Sequence, residues 1–433
     1  MSPAPDRGDV YGTDLAERLR SRTVAEGYVR PDYDGYCFAN VPGAAASVLG
    51  ADLDRSLPED ALDGVNTAVD TVVVLLVDAF GYEQFREARG EHAFFDRLAE
   101  RGRVTPLTGI YPTETAACVT TMHTGRTPVE HGLLGWDAYD DRSDEVFSTL
   151  PHESVGTGEP PDLAADALFE GPTTYERLAE QGVTSHAVQG HLGEGYSEAS
   201  LAGADGRTYD STATFALTLR RTLEDAAAED GPSYVYAYYP NVDTAAHVEG
   251  TRSDRHDAEL AALSAALERE LVDELDDGTA AGTLLLTVAD HGQVDTAPED
   301  RVDLLDDPVV DDAVERDRHG EPLVLGGPRN CHLRVRESER ESVRAHLAEQ
   351  LDALVLTREA ALAEDLWGPE EPSATFQRRV GDLLVVSREG MTWYDQGAAM
   401  GDLDLVGMHG GLHPREALVP FGAVRLDTLA GDA

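Results

Sequence analysis

Residues 71–81 read TVVVLLVDAFG, an unbroken β-branched and aliphatic run closed by an aspartate and a glycine. A strand with no polar face must be covered on both sides, which is the situation of a central strand in a parallel sheet. The same design recurs at SHAVQG (185–190), SYVYAYY (233–239) and TLLLTVADHG (283–292). Amphipathic stretches lie between them: Tyr82 to Arg101, then TTYERLAEQG, TFALTLRRTLEDAAAED and DRHDAELAALSAALERELVDELDDG. Strands alternating with helices predict an α/β chain, a mostly parallel central sheet with helices on both faces. Functional groups in such sheets collect just past the carboxyl ends of the strands. Asp78, Asp243 and Asp290 all fall there.

The organisation follows from the same pattern. Residues 1–65 mix polar turns with short apolar patches and read as an N-terminal extension packed on the core. Residues 66–299 carry the strand–helix alternation of the core. The segment 300–378, acidic and punctuated by proline and glycine at its start, then strand–helix–strand through RNCHLRVRESERESVRAHLAEQLDALVLT (329–357), reads as a small inserted α/β subdomain. RVGDLLVVSREGMTWY (379–394) reads as two strands around a Glu-Gly turn and returns the chain to the core, so that 379–433 continues it.

Charge limits the partners. Asp and Glu number 82 against 34 Lys plus Arg, for a net charge of −48, and every one of the 34 is arginine. A surface this acidic repels nucleic-acid duplexes and anionic membranes. Its plainest reading is adaptation to high salt, where screening removes the self-repulsion. Cys37, Cys118 and Cys331 are too few and too scattered for a disulfide framework or a thiolate zinc knuckle. The first residues carry no leader-like apolar core, and Val72–Val77 is far too short to span a bilayer. The chain therefore reads as soluble and cytoplasmic.

Four short stretches hold candidate metal ligands. Asp78 ends the first strand, although a lone aspartate there is also an ordinary turn or cap residue. Asp290 and His291 are adjacent at a strand end, and a carboxylate beside an imidazole suits zinc or manganese. In NVDTAAHVEG, Asp243 and His247 are four apart, hence on one face of a helix. In VGMHGGLHPREALVP, glycines flank His409 and let the backbone approach a site closely, and His413 is nearby. With one of these last two histidines as a ligand, they supply three aspartates and three histidines, the inventory of a two-metal phosphoryl-transfer site. A nucleophile is available in GIYPTETAACVTTMHTGRTPVEHGLLGWDAY (109–139), where Pro112-Thr113-Glu114 starts a helix. A hydroxyl at such an N-terminus faces backbone N–H groups that favour an anion. Thr113 or Thr115 also fits the plainer role of helix cap.

The order VDAFG, YPTETAACVTTMHTGRTPVEHG, NVDTAAHVEG, ADHG, MHGG resembles the alkaline phosphatase superfamily, and within it the type I phosphodiesterase/nucleotide pyrophosphatase family. The resemblance implies an alkaline-phosphatase-like three-layer sandwich and a phosphodiesterase or nucleotide pyrophosphatase acting on a small phosphate ester or nucleotide. It implies two divalent metal ions, zinc by ligand type with manganese as the alternative. Asp78, Asp290 and His291 would bind one together with Thr115, and Asp243, His247 and His409 the other. Thr115 would be the nucleophile and form a phospho-threonine intermediate. His413 has no counterpart in the motif. Two positions depart from the pattern. Trp136 stands where animal members carry a phosphate-binding asparagine, which makes it a candidate for packing against the core or for stacking on a base or aromatic leaving group of the substrate. Ala116-Ala117-Cys118 replaces a common Phe-Pro-Asn. Phosphomonoesterase and phosphonate hydrolase are the alternatives within the superfamily. Outside that class the alternative is an inactive, metal-stabilised binding protein. A sulfatase is disfavoured, because those enzymes modify a Cys or Ser where this chain has Thr115.

Overall fold

The computed structural model describes residues 10–394 and 404–430; the beginning of the N-terminal extension and part of the segment after 379 lie outside the described residues. The chain is a mixed α/β fold around a seven-stranded sheet in the order Arg103–Thr108, Leu418–Arg425, Thr283–Val288, Thr71–Val77, Ser233–Tyr239, Thr184–Gln189, Asp205–Thr208. Five of these strands form a parallel run, and Leu418–Arg425 is antiparallel to both of its neighbours. All seven residues of Thr71–Val77 are buried. Burying each Val or Leu there contributes about 1.5–3 kcal/mol. Helices surround the sheet, as its lack of a polar face demands. Leu418–Arg425 was invisible to the periodicity argument because its Pro-Phe-Gly centre breaks the aliphatic run.

The stretch from Tyr82 to Arg101 forms two helices, Tyr82–Glu87 and Ala93–Arg101. Gly90 separates them at φ 84°, a left-handed backbone that ends helical hydrogen bonding.

A second seven-stranded sheet, antiparallel throughout, has the order Ala353–Thr357, Leu383–Ser387, Asn330–Leu333, Val324–Gly327, Asp137–Asp140, Glu145–Ser148, Glu153–Ser154. Its membership does not divide the chain at 300 and 378. Three strands come from between those positions, three from the hairpins at 137–154 inside the expected core, and Leu383–Ser387 from the segment expected to return to the first sheet. The join is the pairing of Gly326 with Asp137, a long-range contact that leaves no local sequence signal. The two strands read around the Glu-Gly turn do not pair with each other; Met391–Trp393 pairs instead with Arg301–Asp303.

Arg329 and Glu416 tie the two sheets together. Both are fully buried, with Arg329 Nε donating to Glu416 Oε2 at 2.6 Å. Cys37, Cys118 and Cys331 are buried and unbridged. Among the described residues no helix is long and apolar enough to cross a membrane.

Candidate active site

The carboxyl ends of the central strands carry the chemistry. Asp78 follows Thr71–Val77, Asp290 and His291 follow Thr283–Val288, and Asp243 and His247 share a face of the helix Asn241–Glu249, which starts two residues after Ser233–Tyr239. His409 arrives from the far end of the chain. The ladder of Val294–Asp295 with Gly407–Met408 and the pairing of Thr113 with Gly410 bring it in. Asp78, Asp290 and His291 form one group of potential ligand atoms, and Asp243, His247 and His409 another; within each group the atoms lie within 4.8 Å of one another. The His291 and His409 rings stack at 3.7 Å between the groups.

Each imidazole is held by its Nδ1: His247 on Gly407 O at 2.6 Å, His291 on Gly292 O at 3.1 Å, and His409 on Thr113 O at 2.9 Å. A carbonyl only accepts, so Nδ1 carries the proton and Nε2 keeps its lone pair for the site. The turns that carry these residues need small partners. A Cβ on Gly81 would lie 2.5 Å from Gly292 Cα, which explains why both strand-end turns carry glycine.

Thr115 is the first residue of the helix Thr115–Thr124. The capping role is excluded for it: the N-cap position is Glu114, with no side-chain cap hydrogen bond. Thr113 does other work, donating to Gly411 O at 2.8 Å and accepting from Gly410 N at 3.1 Å, which fixes the turn next to His409. Thr115 Oγ1 lies 3.1 Å from His291 Nε2.

The electrostatics call for positive charge. Burial, then the Asp290 and Asp243 carboxylates, pushes Asp78 well above the usual carboxylate range. Burial also raises Asp290, against the pull of His291. Asp243 is half-buried, and against its desolvation His247, His409 and His291 bring it below its ordinary value. Burial and the neighbouring His291 hold His409 far below the imidazole range. Asp78 Oδ1 and Asp290 Oδ2 are buried and accept no hydrogen bond. Three converging carboxylates, two orphaned oxygens and three oriented Nε2 atoms fit divalent cations as to donor type and charge.

Two supporting residues carried no sequence signal beyond position. Tyr238 donates its hydroxyl to Asp78 Oδ2, and Gln293, fully buried, donates its amide to Asp243 Oδ1. Gln293 follows the ADHG motif directly; Tyr238 is the one incompletely buried residue of its strand. Beside Thr115 opens a cavity of ≈330 Å³ lined mainly by Val119, Leu150, Tyr196, Tyr236 and Tyr238, with no arginine in its walls. Trp136 is 38% exposed and lies outside this lining, and His413 caps the short helix Pro414–Ala417.

The fold matches murine ectonucleotide pyrophosphatase/phosphodiesterase 5, with a TM-score of 0.63 at 16% identity, over 82% of this chain and 87% of that one. The human counterpart matches at 0.60 and 15%, over the same shares. Phosphonoacetate hydrolase from Sinorhizobium meliloti 1021, in complex with phosphonoformate, matches at 0.57 and 17%, over 84% of this chain and 97% of that one. No curated protein matches the sequence. Fold and family match together define a phosphoester hydrolase of the alkaline phosphatase superfamily. The type I phosphodiesterase/nucleotide pyrophosphatase family model matches residues 72–412, and the chain belongs to that family.

Proposed function

We propose that the chain hydrolyses phosphodiesters, with Thr115 as nucleophile and two divalent cations held by Asp78, Asp290 and His291 and by Asp243, His247 and His409. The observation that carries this reading is the position of Thr115 Oγ1, on the first turn of its helix and 3.1 Å from His291 Nε2. Such cations, when bound, lower the pKa of the attacking hydroxyl and offset charge on the phosphoryl oxygens. Zinc suits the imidazole–carboxylate set, with manganese the alternative.

The chain's own groups supply the rest. Helical hydrogen bonding starts with Cys118 N on Glu114 O, so the N–H groups of Thr115, Ala116 and Ala117 lie in the first turn, the part of a helix that favours a phosphoryl oxygen. Thr115 attacks phosphorus, the P–O bond to one alcohol breaks, and that alcohol leaves with a proton. Water then attacks the phospho-threonine and restores the hydroxyl, releasing a phosphomonoester. A Thr-to-Ala form of the murine neighbour, described as inactive, has been captured in complex with AMP. That supports a threonine nucleophile and a nucleotide-like substrate.

Diesters are favoured over monoesters because the extra monoester charge needs a cation. Arg126, the basic residue closest in sequence to the nucleophile other than histidine, lies beyond the opposite end of the helix Thr115–Thr124, about 15 Å along its axis. It packs against Gly171. A phosphonate bearing a carboxylate would need the same missing cation. The test compares bis-p-nitrophenyl phosphate with p-nitrophenyl phosphate. The diester is expected to win by at least about tenfold in kcat/KM. A monoester preference would move the function to a phosphatase.

Gln293 bears on metal retention. A residue that orients a ligand from behind typically changes affinity by about 10–100-fold when replaced. Gln293→Met is expected to weaken binding of one zinc ion by that factor in calorimetric titration. The kcat at saturating zinc should stay near wild type. Unchanged affinity would show that Asp243 needs no such support.

The net charge of −48, without a lysine, supports adaptation to concentrated salt.

A further inference from the structure

A second cavity adjoins the aromatic one beside Thr115. Gly190 and His191, which form one wall of the aromatic cavity, also line this second one, of ≈440 Å³. Each is of the size that holds a small-molecule moiety. The two differ in chemistry. The first is walled mainly by tyrosines and aliphatic side chains, with His123, Gln189 and Ser197 among them, and has no arginine in its lining. The second is lined by Thr208, Asp210, Thr214, Thr218 and Arg221. They are also mechanically joined, since Tyr209 of the second donates its hydroxyl to the backbone carbonyl of Tyr238 in the first at 2.7 Å.

Arg221 belongs to the minority of described arginines that make no ion pair, as do Arg18, Arg103 and Arg126. With 82 acidic residues to 34 arginines, cations here find carboxylates readily. Its neighbour Arg220 is held by Glu224 and Glu270, and Arg207 by Asp205 and Asp225. Among the described residues Arg221 makes no ion pair, although it is exposed at a cavity rim. Asp210, the carboxylate in that lining, is engaged by the Thr214 hydroxyl at 2.8 Å. A guanidinium without an ion pair, in a cavity that adjoins the one at the nucleophile, is a recognition element for an anion.

We propose that the substrate substituent has two parts: an apolar or aromatic ring against Tyr196, Tyr236 and Tyr238, then a distal phosphate that crosses Gly190–His191 and pairs with Arg221. This rests on Thr115 being the nucleophile. It adds a specificity subsite that a simple diester does not reach.

The test compares the p-nitrophenyl ester of thymidine 5′-phosphate with the same ester carrying a 3′-phosphate, at the lowest salt in which the protein stays folded. Low salt matters because a surface pair is screened within about 3 Å at 1 M. The wild type should favour the 3′-phosphorylated ester about tenfold, mostly through KM, as a charge-assisted contact implies. In Arg221→Gln, an exposed substitution, that preference should vanish while the parent ester is hydrolysed as before. No preference in the wild type, or one that survives in the variant, overturns the subsite. A second arm titrates thymidine 3′,5′-bisphosphate calorimetrically into Thr115→Ala with and without Arg221→Gln. If neither ester turns over but this binding still depends on Arg221, the phosphodiesterase reading fails and the distal site stands. Binding that ignores Arg221 overturns the site whatever the turnover.

Discussion

Thr115→Ala is expected to cut phosphodiester turnover by on the order of 10⁴-fold or more while leaving the fold and the bound metal unchanged. The size follows from the role. Removing a covalent nucleophile abolishes the two-step route, and the rest of the site cannot substitute for the lost bond. The structural silence follows from the geometry. Thr115 is not the cap of its helix, and the fixing of the neighbouring turn falls to Thr113. The six candidate ligands come from other segments. Turnover of bis-p-nitrophenyl phosphate, zinc content and melting temperature, measured on one preparation, check all three statements. Loss of activity with metal and fold intact separates an enzyme from a metal-stabilised binding protein. A variant that still turns over at a tenth of the wild-type rate would remove Thr115 from the mechanism.

The largest effect on stability is expected at Arg329. Replacing it with Met leaves the Glu416 carboxylate buried without its partner, which costs about 3–5 kcal/mol. Arg329 also donates to the Arg388 carbonyl at 2.8 Å, and Glu416 accepts from Gly411 N, beside the turn that carries His409. The pair therefore joins the second sheet to the site as well as to the first sheet. Arg329→Met/Glu416→Leu should recover much of the loss, because apolar replacement of both partners leaves no buried charge.

The pH dependence has a definite sign. Burial, opposed by Arg329, pushes the Glu416 carboxyl up to about 7. A raised carboxyl contributes stability that is full below its unfolded value and is lost as pH rises through the folded one. Without Arg329 the carboxyl rises further, so the deficit of the single variant should grow between pH 5.5 and 8. Unfolding of both variants by denaturant at the two pH values checks this. A pH-independent deficit would mean that the lost carbonyl contacts, not the carboxylate, dominate.

Much of this protein is written locally. The aliphatic run of Thr71–Val77 has to sit inside a two-faced sheet, and the aspartates that end such runs fall at strand ends whatever the rest of the chain does. The i, i+4 spacing of Asp243 and His247 is a helical fact, independent of tertiary context. A hydroxyl close to a helix start was legible as well, but the choice of Thr115 over Thr113 came from the resemblance to the family. The three aspartates and the Asp243–His247 pair therefore stood out before the fold was known.

What only the tertiary structure decided is everything that depends on distant segments meeting. Strands from 137–154, 324–357 and 383–387 form one antiparallel sheet, because pairing energy is realised between chain segments and not along them. Leu418–Arg425 enters the central sheet without an aliphatic signature, and His409 reaches Asp243 through a two-residue ladder. Gln293 and Tyr238 acquire their partners, and Arg221 its cavity, from the same convergence. A side chain's rotamer and neighbours are set by packing after the backbone has closed, so periodicity and spacing carry no record of them.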